Sequence, residues 1–517
     1  MRVPVISVAK FDLERLVGAK FDEIVRALNH VKCEIEESAG DSLKLEVTHD
    51  RPDHFSAEGL ARTVRGVLGI ETGLPPIRLL QSDVVLEAGV IEERPYISMA
   101  IVRGVTLDNE AIRQVIQLQE KLHETYGRSR RKVAIGLYDM SRVKPPIRYT
   151  RVSAEDEYVP LGFDRPVRVR DMFELTEQGR RYSRYINRDR PPALVDGAGQ
   201  ILTIIPVLGS ECCKVTESTR DVLIDVTGTD PRAVVSAMSV LVYGLLERSA
   251  SKEVALVSGG LAYVHSYIRV RADVGAISEL LGVRLALEEF AALVRRARMD
   301  YSNGEVVVPP YRINVLSWVD VAEDVALMMS YDAIPREVPR IVAGGRRHRV
   351  EVFSDEVRRA LLAMGFAEVS NYMLTDESVA RVCKPARVLN PVSEMHSTVR
   401  CSLITQLVAT AAQMRRGGAK IFEVGDVVRD GRTVRAAAFL ISHDGVTLTD
   451  GLSVLKALCR RLGLECRLSP LEAEWALRGR AALVQGGLAG YIAEVSPDLL
   501  VALGHRTPTV VAELFLE

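Results

Sequence analysis

At 517 residues, with 47% hydrophobic and 26% charged side chains, the chain excludes the disordered class and holds material for roughly three or four domains of about 150 residues each. A formal net charge of -1 excludes a general positive field, so any nucleic-acid contact has to come from local patches. No run of about 18 uncharged apolar residues is present, and the opening MRVPVISVAKFDLERLVG turns charged too early for a signal peptide. Seven cysteines, an odd number with no CxxC spacing, predict a reducing cytoplasm without disulfides.

In chain order, the pattern predicts a strand over 3–8, short amphipathic helices around 13–16 and 21–28, and an alternating strand over 43–47. The strand runs into Thr48-His49-Asp50-Arg51-Pro52-Asp53, which by itself reads as a strand-to-helix turn. Ser56 is expected to cap the next helix, whose apolar stripe is Leu60, Val64, Val67 and Leu68. From about 90 to 250 strands and helices mix. A strand over 201–207 passes through Gly209-Ser210-Glu211 to a second over 221–226, and Asp230-Pro231 then starts a core helix carrying Val234, Met238, Leu241 and Leu245. Further strands and helices follow over 267–270, 274–281 and 287–298, with Gly282 between the helices. A break is expected at Ala343-Gly344-Gly345, then a helix over 350–364 and a strand over 367–372.

The stretch 306–339 carries the clearest chemistry. Pro309-Pro310 stops a short apolar strand, Ser317 and Asp320 stand at capping-box spacing, and Val321, Val325 and Met328 mark a buried helical face. Asp320, Glu323 and Asp324 fall at i, i+3 and i+4, so three carboxylates crowd one surface and something must offset their repulsion. Two readings stand: first-turn acids favoured by the helix dipole and facing water, or a hard-cation site for Mg2+ to which Asn314 adds an amide oxygen.

Taken in order, the segments resemble the phenylalanyl-tRNA synthetase β-subunit family in its shorter archaeal and eukaryotic form. Thr48–Arg62, TxDRPDHFSAEGLAR, is similar to the N-terminal B1 domain; RRKVAIGLYDMSRVKPPIRY (130–149) and VLIDVTGTD (222–230) are similar to the B3/B4 editing module. The run 267–302 with PPYRINVLSWVDVAEDVA resembles B5; VLNPVSEMHSTVRCSLITQL (388–407), FEVGD (422–426) and GRAALV (479–484) resemble a degenerate class II synthetase module. The resemblance implies an α+β multidomain protein: a B1-like domain over 1–85, an editing module over 86–255, a small B5-like domain over 256–340, and over 341–517 a non-catalytic class II-like antiparallel sheet with helices.

It implies too that ATP is used by a separate catalytic α subunit, because GGLAGYIAEV (486–495) lacks the arginine that class II chemistry needs to neutralise phosphate charge. The implied assembly is an (αβ)2 heterotetramer acting on phenylalanine tRNA. Its Mg2+, shared with α, would fall on Asn314, Asp320, Glu323 and Asp324, with Asn314 standing where the family has aspartate. For the hydrolysis of tyrosine mistakenly attached to that tRNA, the resemblance points to Leu194 as an apolar wall and to Thr203, Asp225 and Thr227. The segment IPVLGSECCK (205–214) departs from the family pattern PPIINSxHSK, losing an asparagine and a histidine and gaining Cys212 and Cys213. For those two, small partly buried residues are the plain alternative to a catalytic thiol, which would want a nearby histidine. Basic candidates for tRNA contact are 128–132, then Arg180, Arg181, Arg184, Arg188 and Arg190, then Arg346, Arg347 and Arg349. A rival reading is a synthetase-derived scaffold or tRNA-binding protein without a ligase partner.

Overall fold

The first apolar run pairs with the third: strand Val5–Ala9 lies antiparallel to Ser42–Val47, which also pairs with Cys33–Ala39. In the computed structural model, residues 3–263, 265–341, 344–377, 381–414 and 418–516 are described. Helices Lys10–Val17 and Ala57–Val67 pack on one another beside this small sheet. Gly18 ends the first in the left-handed region at φ +77°, where a Cβ would be strained. Ser56 occupies the cap position of the second without capping it. The Ala57 amide donates to Gln114 Oε1 at 3.0 Å, so one of the free first-turn amides is satisfied by a residue 57 positions away.

A nine-stranded mixed sheet follows, with its strands in the order Leu208–Gly209, Ile201–Ile204, Pro192–Val195, Ile147–Arg151, Arg78–Ala88, Glu253–Ser258, Tyr96–Val102, Val222–Gly228 and Val133–Asp139. The expected domain edges at 85/86 and 255/256 each fall inside one of these strands. Because Arg78–Ala88 and Glu253–Ser258 pair in parallel, a cut there would leave their ladder groups without partners. Asp230 accepts from the amides of Arg232 and Ala233 and opens helix Pro231–Leu246, which packs on Tyr96–Val102 and Val222–Gly228. The strand expected over 201–207 stops at Ile204, before Pro206.

Strands Ile268–Arg271, Glu305–Val308 and Asp300–Ser302 form a three-stranded sheet beside helices Val274–Leu281, Leu287–Arg296 and Trp318–Met329. Ser317 and Asp320 form the expected capping box. All of this belongs to one unit, Met1–Val338; the other unit is Pro339–Glu517. Of the expected break at 343–345, Ala343 lies outside the described residues.

The second unit is built on a seven-stranded sheet, antiparallel but for Ala367–Glu368 beside Ala419–Arg429, with a small three-stranded sheet of Leu374–Thr375, Thr398–Val399 and Ala386–Arg387. Strand Ala367–Glu368 is shorter than the 367–372 expected. Along Arg432–Ser442 the alternation sorts Ala437, Phe439 and Ile441 to one face, under helices Arg349–Ala363 and Leu448–Arg461. Ala436, Ala438 and Leu440 go to the other, under Ile404–Gln413 and Pro497–Ala502. Two disulfides, Cys383–Cys401 and Cys459–Cys466, correct the expectation of unpaired thiols. The fold brings the partners together across 18 and 7 residues, spacings with no local signature. Among the described residues, no helix is long and apolar enough to cross a membrane.

Candidate functional site

A cavity of about 420 Å³ opens against the edge of the nine-stranded sheet. Strand Val222–Gly228 lies between Tyr96–Val102 and Val133–Asp139, setting Asp225 opposite Gly136 and Thr227 opposite Ala134. Asp225 and Thr227, two apart on one strand, therefore share a face, and both line the cavity together with Thr203, Tyr138 and Gly136. Gly136 has a steric reason to be glycine. A Cβ there would stand 2.0 Å from Asp225 Oδ2 and 2.1 Å from the Tyr138 hydroxyl.

Tyr138 donates its hydroxyl hydrogen to Asp225 Oδ2 at 2.6 Å, and the carboxyl is 2% exposed. Burial pushes the Asp225 pKa up to about 6, against the opposing pull of the Tyr138 hydrogen bond, the Arg94 charge and the Gly136 amide. Arg94, itself buried, braces the wall: Nε donates to Thr227 Oγ1 at 3.3 Å, Nη2 to Thr227 O at 2.9 Å, and Nη1 to Arg130 O at 2.9 Å. Arg130 lies on a turn whose three consecutive residues, Arg128, Ser129 and Arg130, all have positive φ. Its guanidinium reaches Glu120 at 2.8 Å and the Val207 carbonyl at 2.9 Å. His123 donates from Nδ1 to Glu120 and accepts the Ile135 amide at Nε2, 2.9 Å away, which sets the neutral tautomer. Burial holds His123 down at about 4.

Of the four residues expected here, three meet at the cavity and one does not. Leu194 pairs with Thr203 in the ladder and is buried with Leu202 and Cys213, outside the lining. Cys213 is a packing residue whose thiol donates to the carbonyls of Leu202 and Ser210 at 3.7 and 3.8 Å. Its hydrogen bond draws the half-buried Cys212 thiol down to about 6, but among the described residues neither cysteine is hydrogen-bonded to a histidine. The basic stretch 128–132 places Arg130 in the lining, and helix Glu177–Tyr182, which bears Arg180 and Arg181, contributes Gln178. Arg347 pairs with Asp355 at 2.7 Å in the second unit.

The acidic helix face is assembled differently from a metal cage. Asp324 is buried against Arg312, whose Nη2 donates to its Oδ2 at 2.6 Å, and Arg312 Nε donates to Asn314 Oδ1 at 3.1 Å. Glu323 receives Lys32 Nζ at 2.7 Å. Asp320 Oδ2 accepts the amides of Leu316 and Ser317 at 2.8 and 2.7 Å. Among the described residues no group of three or more acids, histidines or cysteines is placed to hold a metal ion, so these four do not fit Mg2+ as they stand. TxDRPD also does more than turn the chain. Arg51 is buried in a bidentate pair with Asp53 at 2.9 and 2.8 Å, and Arg62 stacks 4.1 Å from the Tyr311 ring, joining the N-terminal motif to the segment before the acidic helix.

In the second unit the buried carboxylates are committed internally. Glu423 pairs with Arg400 at 2.6 Å, and Glu513 accepts from Ser402 Oγ at 2.8 Å, the Leu403 amide at 2.7 Å and the Tyr491 hydroxyl.

Sequence reasoning missed Tyr138, Arg94, Arg312 and Lys32. Tyr138 was legible in principle, lying two residues from Gly136 on an alternating strand. Arg312 stands two residues before Asn314, the nearest cation to a crowded acidic face.

The tRNA synthetase B5 domain family matches residues 270–331, and the phenylalanyl tRNA synthetase beta chain CLM domain family matches 334–516. The chain is 64% identical over 514 residues to the phenylalanine–tRNA ligase beta subunit of Pyrobaculum aerophilum, covering 99% of this chain and 100% of that one. It is 40% identical over 543 residues to that of Thermofilum pendens, covering 100% and 98%. A crystal structure of an N-terminal fragment of the phenylalanyl-tRNA synthetase beta-subunit from Pyrococcus horikoshii matches with a TM-score of 0.58 and 32% identity, over 63% of this chain and 99% of that one. With relatives aligned across its full length at this identity, the chain belongs to the phenylalanine–tRNA ligase beta-subunit family.

Proposed function

We propose that the chain is the β subunit of a phenylalanine–tRNA ligase, that an α subunit in an (αβ)2 assembly uses ATP to charge the tRNA, and that the Asp225 cavity hydrolyses tyrosyl-tRNA. Phenylalanine and tyrosine differ by one hydroxyl, which an apolar pocket rejects weakly, so a second pocket that bonds the hydroxyl adds the missing discrimination. The cavity with a buried carboxylate and two threonine hydroxyls carries this reading.

Each group has capacity left for a ligand. Tyr138 takes one Asp225 oxygen and leaves the other to accept from a hydroxyl or an ammonium. Thr227 Oγ1 accepts from Arg94, so its own hydrogen is free to donate. Thr203 Oγ1 donates to Leu208 O at 3.2 Å, so its lone pairs are free to accept. The chemistry assigned to them is orientation of the ester and of an attacking water: water adds to the ester carbonyl, the bond to the ribose oxygen breaks, and tyrosine and free tRNA leave. No covalent nucleophile is required. Arg130 and the Gln178 helix at the cavity wall suit a polyanionic tRNA end.

The test is deacylation of tyrosyl-tRNA by the assembled complex. Asp225→Asn and Thr227→Val are expected to slow it at least about tenfold each, the equivalent of one good hydrogen bond to a charged group. Equal rates in all three proteins would remove the site. The β chain alone is expected not to charge tRNA with phenylalanine; charging by the lone chain, or failure to co-purify a class II partner, would overturn the assignment in favour of another enzyme or a scaffold.

A further inference from the structure

The carboxylates on helix Trp318–Met329 already have their cations. Arg312, 1% exposed, lies between Asn314 and Asp324 and donates to an oxygen of each. Lys32 crosses from the N-terminal domain to Glu323 and bridges it to Asp50, both contacts at 2.7 Å. Asp320 spends an oxygen on the amides that cap its own helix. We propose that Arg312 and Lys32 are the permanent counter-ions of this face, standing in place of a divalent cation, so that its stability is independent of magnesium.

Three observations support this. Mg2+ demands oxygens in near-octahedral array at about 2.0–2.1 Å, whereas the donor shared by Asn314 and Asp324 is a planar guanidinium. Asn314 brings no charge, so the three carboxylates face two fixed cations and a helix N-terminus, which leaves little for a dication to neutralise. A metal taking Asp324 would also have to displace Arg312, whose remaining hydrogen-bond partner among the described residues, beyond Asn314, is the Ala297 carbonyl at 3.5 Å. Such a displacement leaves a buried guanidinium nearly bare.

The experiment uses the purified complex, stripped with EDTA and free of ATP and tRNA, with Mg2+ alone as the probe and the thermal midpoint as the readout. The midpoint of the wild-type protein is expected to be the same with EDTA and with millimolar Mg2+. Lys32→Gln, at a partly exposed site that tolerates a polar replacement, is expected to lower the midpoint and to make it respond to Mg2+. Arg312→Met with Asn314→Asp, if it folds, is expected to respond more strongly. A wild-type midpoint that falls on chelation, recovers with Mg2+ and loses that response in Glu323→Gln would overturn the proposal. A response that survives unchanged in both Glu323→Gln and Asp320→Asn arises elsewhere in the complex and supports it.

Discussion

A carboxylate buried in a cavity wall and stripped of water destabilises the fold whenever it is ionised, and Asp225 is in that position. Its folded pKa of about 6 lies above the ordinary 3.8, so the folded state binds its proton more tightly than the unfolded chain does. The contribution is therefore fully stabilising below pH 3.8 and is lost as pH rises through about 6. A shift of this size corresponds to about 3 kcal/mol. Asp225→Asn keeps an acceptor for Tyr138 and removes the charge, so it is expected to raise the thermal midpoint above pH 6, with the advantage vanishing toward pH 3.8. Unfolding curves of both proteins across that range check it. Parallel pH dependences would mean that Asp225 is not desolvated.

At the scale of an element, helix Pro231–Leu246 shows how a cap and a core face share the work. Asp230 accepts two first-turn amides and Pro231 has none to satisfy, while most of the helix is buried on the sheet. Asp230→Ala is expected to cost about 1 kcal/mol. Lys132, which pairs with Asp230 at 3.3 Å at a partly exposed site, is expected to matter little, and Lys132→Ala measured by the same denaturant titration separates cap from ion pair. This helix was readable from Asp-Pro and the apolar spacing because every signal in it is local. Ser56 shows the limit: its position before the helix was right, but its hydroxyl caps no amide, and the first helical amide, that of Ala57, is held by the distant Gln114.

At the scale of the molecule, the disulfides among the described residues lie in the second unit. Each closes a loop in the unfolded chain, for roughly 3 kcal/mol on the chain-entropy account. Reductant is expected to lower the calorimetric transition of Pro339–Glu517 and to leave that of Met1–Val338 where it was. Movement of both transitions, or of neither, would contradict the pairing.

The amino-acid sequence by itself determined the start and the apolar face of elements with strong local signals, such as helices Pro231–Leu246 and Trp318–Met329, because caps, prolines and periodicity act within a few residues. Local spacing also gave the capping box of the acidic helix, while the family resemblance pointed to Leu194, Thr203, Asp225 and Thr227, of which all but Leu194 line the cavity. Only the tertiary structure decided their partners: Tyr138 lies 87 residues from Asp225, Arg94 133 from Thr227, and Lys32 291 from Glu323. The strands that meet in one ladder, the cysteines that bond and the cation beside each acid are settled when distant segments pack. No periodicity in the chain encodes those distances.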